Sequence, residues 1–252
     1  MKRILLCGAM GHMGREVAHY ANEYGFEIAA GIDFCTAEDT GFPLYAGFTS
    51  FIREEADIII DFSRPAALPG LLEYALAHKL PCVLASTGYG PAEEKLISEA
   101  AKQIPIFVSA NMSVGVYVLK KLIREAKQLM PHADIEIIEK HHRQKEDSPS
   151  GTAIALLKAL AEEDTRIVYG RNGLDTKRRA GEIGVHSVRG GTLNGEHEVD
   201  FLMDNEVISI THSAQNRGIF ASGALRAALF LLSQEAGIYG MDDLMNSLNG
   251  QA

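Results

Sequence analysis

The sequence predicts an α/β fold: a Rossmann-type doubly wound parallel sheet, joined to a second α+β domain whose sheet is mixed and largely antiparallel. Three observations predict it. Short apolar runs alternate with longer helical patterns through residues 1–112. A glycine turn, Gly8 to Gly14, follows the first apolar run directly. Beyond residue 132 the pattern changes to alternating strands separated by turn dipeptides. Alternation of strands with helices is the mark of βαβ units, whose parallel sheets are covered on both faces.

The elements run as follows. "RILLC" leads into "MGREVAHYANEY", then "EIAAGID", "ADIIID", "LLEYALAHK", "PCVLAST", "AEEKLISEAAKQ" and "IPIFVS". The long helical stretch "VGVYVLKKLIREAKQLM" opens the second region. There "ADIEIIEK", "EIGVHSVRGG", "EHEVDFLM" and "EVISITHSA" read as strands, and Asn194-Gly195 and Asp204-Asn205 supply hairpin-turn chemistry between the last three. The apolar helix "FASGALRAALFLLSQEAG" is expected to return to the first domain. The expected division is residues 1–112 with 217–252 as a dinucleotide-binding domain, and 113–216 as a domain for substrate binding and oligomerisation.

Composition narrows the function classes. A chain of 252 residues with 46% hydrophobic content can bury a sizeable core. Its net charge of -9 offers no broad basic face for nucleic acid. No apolar run approaches the ~20 residues that span a bilayer, and "MKRILLCGAMG" carries no cleavage pattern, so the expected location is the cytoplasm. Cys7, Cys35 and Cys82 are odd in number and lack metal spacing, which suits buried thiols in a reducing compartment.

Gly8, Gly11 and Gly14 lie between a strand and a helix in a GxxGxxG spacing. Such glycines let the backbone turn tightly and approach a pyrophosphate at the helix N-terminus. Ala9 takes the first glycine position of the commoner GxGxxG form. Asp33 ends the second strand about 20 residues on, where a carboxylate can accept from ribose hydroxyls. Asp33 would repel a 2′-phosphate and Phe34 offers no cation to hold one; NADH is favoured, and Arg15 leaves NADPH open. Two further strand ends, "STG" from Ser86 and "SANMS" from Ser109, fall where such a sheet meets its ligand.

The strongest signal is "KHHRQKEDSPSGTA", beginning at Lys140. Ser148 can cap a helix, Pro149 suits its first position, and the backbone N–H groups of Ser150, Gly151 and Thr152 then face outward at the positive end of a dipole. A strand ending near Glu139 delivers His141, His142 and Lys145 to that end. Imidazole exchanges protons near neutrality and an ammonium supplies charge, so one site gathers anion binding and proton donors. Metal ligation by His141, His142 and Asp147 with His186, His197 or His212 is the competing chemistry. The spacing lacks an HxxxH pattern, and adjacent strand residues point to opposite faces, so no metal is expected.

These stretches, with "GAMGHMGREV", "SANMSVG", "GVHSVRGGTLNGEHEV" and "ITHSAQNRGIFASGA", resemble the dihydrodipicolinate reductase family along nearly the whole chain. The resemblance implies reduction of a cyclic dicarboxylate with NADH or NADPH in the diaminopimelate route to lysine, by homotetramers joined through the second domain's sheet. It implies His141 as proton donor or acceptor and Lys145 as proton donor. It implies His142, Ser150, Gly151 and Thr152 around the substrate, the last two holding a carboxylate. The cofactor would lie against Gly8, Ala9, Met10, Gly11, His12, Met13 and Asp33, then Ala85, Ser86 and Thr87, then Ser109, Ala110, Asn111 and Met112, with Arg217 and Phe220 near it. His12 and Phe34 stand where relatives often carry Arg, and Ser148 replaces a frequent Ala. Two other readings are a nucleotide-sensing module without catalysis, which leaves the His-His-Lys cluster unused, and a dehydrogenase acting on another small diacid.

Overall fold

The computed structural model describes residues 1–34, 39–48, 55–174 and 176–249. Cys35 lies outside them. The chain divides into two compact units, Met1–Ser113 with Arg217–Ala252, and Val114–Asn216.

The first unit is built on β1 (Lys2–Cys7), α1 (His12–Tyr20), β2 (Phe26–Ile32), β3 (Leu44–Tyr45), β4 (Ile58–Asp61), α2 (Leu68–His78), β5 (Cys82–Leu84), α3 (Pro91–Ala100) and β6 (Pro105–Val108). Its strands pair in parallel in the order β6-β5-β4-β1-β2-β3, so the chain reverses its direction of travel between β1 and β4. That reversal opens the crevice in which doubly wound sheets take ligands. The strands are apolar without interruption because both faces are covered. Ile4, Leu6, Ile58, Ile60, Val83 and Phe107 enter one core, and Leu5, Cys7, Ile59, Cys82, Leu84 and Ile106 the other.

The second unit holds α4 (Val114–Leu129), β7 (Asp134–His141), α5 (Gly151–Leu160), β8 (Ile167–Tyr169), β9 (Ile183–Arg189), β10 (Glu196–Leu202) and β11 (Val207–Ser213). Its sheet runs β11-β10-β7-β9-β8. Only the Asp204-Asn205 turn makes a hairpin, joining β10 to β11, with Met203 N–H donating to the Glu206 carbonyl at 2.9 Å. The hairpin expected at Asn194-Gly195 is corrected: β9 pairs in parallel with β7 and with β8, and β7 separates it from β10. The sheet is therefore half parallel rather than largely antiparallel. Along β7 strict alternation buries Ile135, Ile137, Glu139 and His141 on the face covered by α4 and α5. The final segment, α6 (Gly218–Leu231), β12 (Gly237–Tyr239) and α7 (Met241–Asn249), belongs to the first unit. There α6 lays eight buried residues on the sheet and β12 adds a parallel strand beside β6. Among the described residues no helix is long and apolar enough to cross a membrane.

Gly14 shows how tightly the turn after β1 is packed. A Cβ there would stand 2.2 Å from the Gly8 carbonyl oxygen, so α1 lies against the turn only because residue 14 has no side chain. Gly14→Ala should lose about 1–3 kcal/mol in urea unfolding, the usual cost of overpacking. Gly47→Ala, where a Cβ meets nothing within 4 Å, should stay close to neutral in the same assay.

Candidate active site

In the first unit, the residues expected at the cofactor stand at the carboxyl ends of parallel strands. Gly8 has φ +75°, and a Cβ on it would lie 2.7 Å from the Phe62 carbonyl oxygen, so the β1 turn presses against the loop after β4. The turn then enters α1 through Gly11, and no side chain caps that helix end. Asp33 follows β2, and its Oδ2 accepts from the Met10 N–H at 2.9 Å, tying the acid to the turn. Arg15 Nε donates back to the Met10 carbonyl at 3.1 Å. Ala9 is buried in the core; Met10 and Met13 are half-buried and His12 is exposed. Ala85 to Thr87 follow β5, and Ser109 to Met112 follow β6. Arg217 and Phe220 stand at the start of α6. Ser109 Oγ donates to the Asn111 carbonyl at 2.8 Å, which folds that strand end on itself. A Cβ at Gly223 would meet the Met112 carbonyl oxygen at 1.7 Å, so α6 supports this strand end through a bare glycine.

Sequence reasoning missed Asp61, the buried last residue of β4. Its Oδ1 accepts from the N–H of Ser63 at 3.0 Å and from the hydroxyl of Ser63 at 2.5 Å. Its Oδ2 accepts from Ser86 Oγ at 2.7 Å and Tyr89 OH at 3.2 Å. The Ser86 hydroxyl, expected at the cofactor, is thus committed to Asp61. Burial, reinforced by the Asp61 charge, pushes the Cys7 and Cys82 thiols well up and keeps both as inert hydrophobes.

In the second unit, β7 carries its alternation past the apolar core, so Glu139 and His141 are delivered to the buried face at the start of α5. Glu139 has no exposed surface. Arg189, last in β9, grips it with two nitrogens, Nη1 to Oε2 at 2.8 Å and Nη2 to Oε1 at 2.7 Å. The Ser150 N–H adds a bond to Oε1 at 3.2 Å, and His141 Nδ1 lies 2.5 Å from Oε2. Burial raises the Glu139 carboxyl, but the hydrogen bonds from Arg189, Ser187 and His141 outweigh it and hold the group at about 2. A permanent carboxylate at Nδ1 makes that nitrogen the N–H donor and leaves Nε2 for proton exchange. Burial, with the nearby Lys145 and Arg189 charges, lowers His141 below its ordinary value against the pull of Glu139.

α5 starts two residues later than the sequence pattern suggests. Ser150, rather than Ser148, is its cap: Oγ accepts from the Ala153 N–H at 3.1 Å, and Pro149 precedes the helix. Ser150 is buried, and both its hydroxyl and its N–H hydrogen-bond within the protein. Gly151 then opens the helix, and a Cβ there would meet nothing within 4 Å. Lys145 Nζ pairs with Asp147 Oδ1 at 2.7 Å. Hydrogen bonds from Lys145, followed by those from the backbone of Asp147 and Gly151, lower the Asp147 carboxyl against its desolvation. The chain thus already pairs a carboxylate with the ammonium in the loop before α5. The loop between them is fixed by His142 N–H to the Leu193 carbonyl at 2.9 Å and Arg189 Nη2 to the Asp147 carbonyl at 2.7 Å. His142 Nδ1 is buried without a hydrogen-bond partner among the described residues.

His197, from β10, completes the cluster. Its Nε2 lies 3.0 Å from Ser150 Oγ, and its ring meets that of His141 edge-on at 5.1 Å between centroids. Burial and the His141 ring push it down to about 4. Glu139 and Arg189 escaped the sequence reading, which weighed His197 only as a metal ligand, although the β7 alternation did carry a signal by placing Glu139 in line with Ile135 and Ile137.

Two of these shifts act on stability in the same direction. Glu139 stays ionised in the fold down to about 2 against an ordinary 4.5, so its contribution is complete above 4.5 and is lost as pH falls toward 2. His197 stays neutral in the fold down to about 4 against an ordinary 6.5, so its contribution is complete above 6.5 and shrinks as pH falls toward 4. Thermal unfolding should show Tm declining across the interval from 6.5 to about 4, with a shallower decline in His197→Gln. The decline should not vanish, because His141 and His212 are lowered by burial as well.

Comparison with known proteins accords with both halves of this arrangement. The family profile described as "Dihydrodipicolinate reductase, N-terminus" matches residues 2–112, and "Dihydrodipicolinate reductase, C-terminus" matches 115–245. The chain is 47% identical over 249 residues to the 4-hydroxy-tetrahydrodipicolinate reductase of Caldanaerobacter subterraneus, covering 97% of this chain and 98% of that one. It is 44% identical over 252 residues to the enzyme of the same name from Clostridium tetani, covering 98% of each. In fold it is similar to the dipicolinate-bound dihydrodipicolinate reductase of Paenisporosarcina sp. TG-14, with a TM-score of 0.75 at 23% identity, covering 96% of this chain and 99% of that one. With its length matched by the two profiles in sequence, the chain belongs to the dihydrodipicolinate reductase family.

Proposed function

We propose that the protein reduces 4-hydroxy-tetrahydrodipicolinate to tetrahydrodipicolinate with a nicotinamide dinucleotide, in the diaminopimelate route to lysine. The observation that carries this reading is the Lys145–Asp147 ion pair at 2.7 Å, which places an ammonium and a displaceable carboxylate in the loop between the Glu139–His141 pair and the start of α5, the seat assigned here to an anion. A ring carboxylate replaces Asp147 there and is held by Gly151 and Thr152, while His142 Nδ1 gains the partner it lacks. A sensor of nucleotide alone has no use for this seat.

When bound, the cofactor supplies the hydride, which adds to an unsaturated ring carbon after the 4-hydroxyl has left as water. Electron density then builds on the neighbouring carbon. A proton from Lys145 Nζ or from His141 Nε2 quenches it. The Glu139 carboxylate steadies the imidazolium form of His141, and the Lys145 ammonium with the α5 dipole offsets the charge of the diacid. The residues of the β1 turn fit the dinucleotide. Gly8 and Gly14 leave backbone where a Cβ would collide, α1 carries no side-chain cap, and Asp33 is anchored by Met10 to receive ribose hydroxyls. The fixed Asp33 charge disfavours a 2′-phosphate, and Arg15 is turned back to the Met10 carbonyl, which supports NADH.

The assembly we propose is a homotetramer formed through the face of the second unit's sheet opposite α4 and α5. That face presents Lys140 paired with Glu196, and His186 Nε2 paired with Glu136 at 2.7 Å, and β11 at its edge exposes Val207 on the same side. The free, buried Cys7 and Cys82 support residence in the cytoplasm.

A coupled assay that generates the ring substrate in place and follows nicotinamide absorbance tests the reading. Lys145→Met and His141→Asn should each lower kcat by about 100-fold or more while both proteins remain folded; full turnover in both variants would exclude the assignment. NADH should exceed NADPH in kcat/KM by about tenfold or more, and Asp33→Asn, which keeps an acceptor for Met10 but removes the charge, should narrow that ratio.

A further inference from the structure

Resting on the reading of His141, Lys145 and the start of α5 as the substrate site, we propose that His197 is a positioning residue for it. Its neutral imidazole holds the Ser150 hydroxyl, and through that cap it fixes the helix amides relative to His141.

Ser150 Oγ accepts from the Ala153 N–H at 3.1 Å and keeps its own hydrogen to give. We assign that hydrogen to His197 Nε2, 3.0 Å away, which puts the proton of the neutral ring on Nδ1, a buried nitrogen without a partner among the described residues. The groups facing this ring are Glu139 and His141 from β7, His212 from β11, Ser150 from α5, and the charges of Lys145 and Arg189. Two of these are cations, and both oxygens of the one carboxylate are already taken by Arg189, Ser150 and His141. A second positive charge on His197 would gain no partner and would remove the acceptor that Ser150 uses.

The result is a closed ring of contacts. Glu139 binds the Ser150 N–H and His141 Nδ1, while His197 binds the Ser150 hydroxyl and lies edge-on to His141 at 5.1 Å. Two strands and one helix start are thereby locked together around His141. Gly195 roofs the pair: a Cβ there would stand 2.9 Å from His141 Nε2 and 3.6 Å from His197 Cε1. His197 meets the start of α5 at the Ser150 hydroxyl. It acts through Ser150.

The experiment compares His197→Leu, His197→Gln, Ser150→Ala and the double variant. Steady-state kinetics with the ring substrate are paired with calorimetric titration of pyridine-2,6-dicarboxylate. His197→Leu should raise KM for the ring substrate and Kd for the diacid about tenfold, with the KM for NADH unchanged. His197→Gln, whose Oε1 can accept from Ser150, should recover most of that loss. Ser150→Ala should match His197→Leu, and the double variant should be no worse than either single one, because both remove the same bond. Diacid affinity within twofold of wild type in His197→Leu, failure of glutamine to rescue, or additive losses in the double variant would each overturn the inference. Wild-type protein that binds no diacid would instead defeat the underlying substrate reading, and this inference with it.

Discussion

The second unit is organised around one buried charge. Glu139 sits at the end of a core-facing strand row, without exposed surface, and exists as a carboxylate because Arg189 grips both of its oxygens. Buried ion pairs of this kind contribute little net stability compared with apolar residues of the same volume, yet removing one partner is costly because the other charge is left bare. What the pair does provide is geometry. It sets the tautomer of His141, receives the Ser150 N–H, and through the same guanidinium holds the Asp147 carbonyl of the loop that bears Lys145.

The two units share this device in different chemical dress. At the end of β4, Asp61 is satisfied by hydroxyls and a backbone N–H, and it gathers the loops after β4 and β5. At the end of β7, Glu139 is satisfied by a guanidinium, an N–H and an imidazole, and it gathers a loop and a helix start. In both places a strand that leaves the apolar core carries a carboxylate at or near its end, and the loops beyond it take their shape from donors that turn back to that carboxylate. A chain with net charge -9 thus uses buried negative charge as an internal fastening.

Much of this was legible in the sequence. The alternation of apolar runs and helical stretches marks the parallel sheet, and the glycine turn with Asp33 marks its ligand edge. The basic stretch beside "PSGT" falls between the end of β7 and the start of α5. Pairing was less legible. Asn194-Gly195 reads as a hairpin turn, but β9 found a better partner in β7, and pairing register depends on which buried faces match across the sheet rather than on the local turn. β3, β8 and β12, of two or three residues each, carry too little periodicity to be seen. The helix start was misplaced by two residues because Ser148 and Ser150 are equivalent as local caps, and only the third-party contact from His197 distinguishes them. Glu139 and His197 look like ordinary polar positions of half-exposed strands until the neighbouring strands show which face is covered.

The placement of α6 bears on how the polypeptide reaches this form as it leaves the ribosome. One core of the first unit, with Ile4, Leu6, Phe26 and Phe107, is closed by Ala221, Ala224, Leu225 and Leu231 from the far end of the chain. Until those late residues emerge, that apolar surface stands open to water and to chaperones, while the central unit has all of its own strands and helices in hand. The order of synthesis therefore runs against the order of completion: the domain translated first is the one finished last.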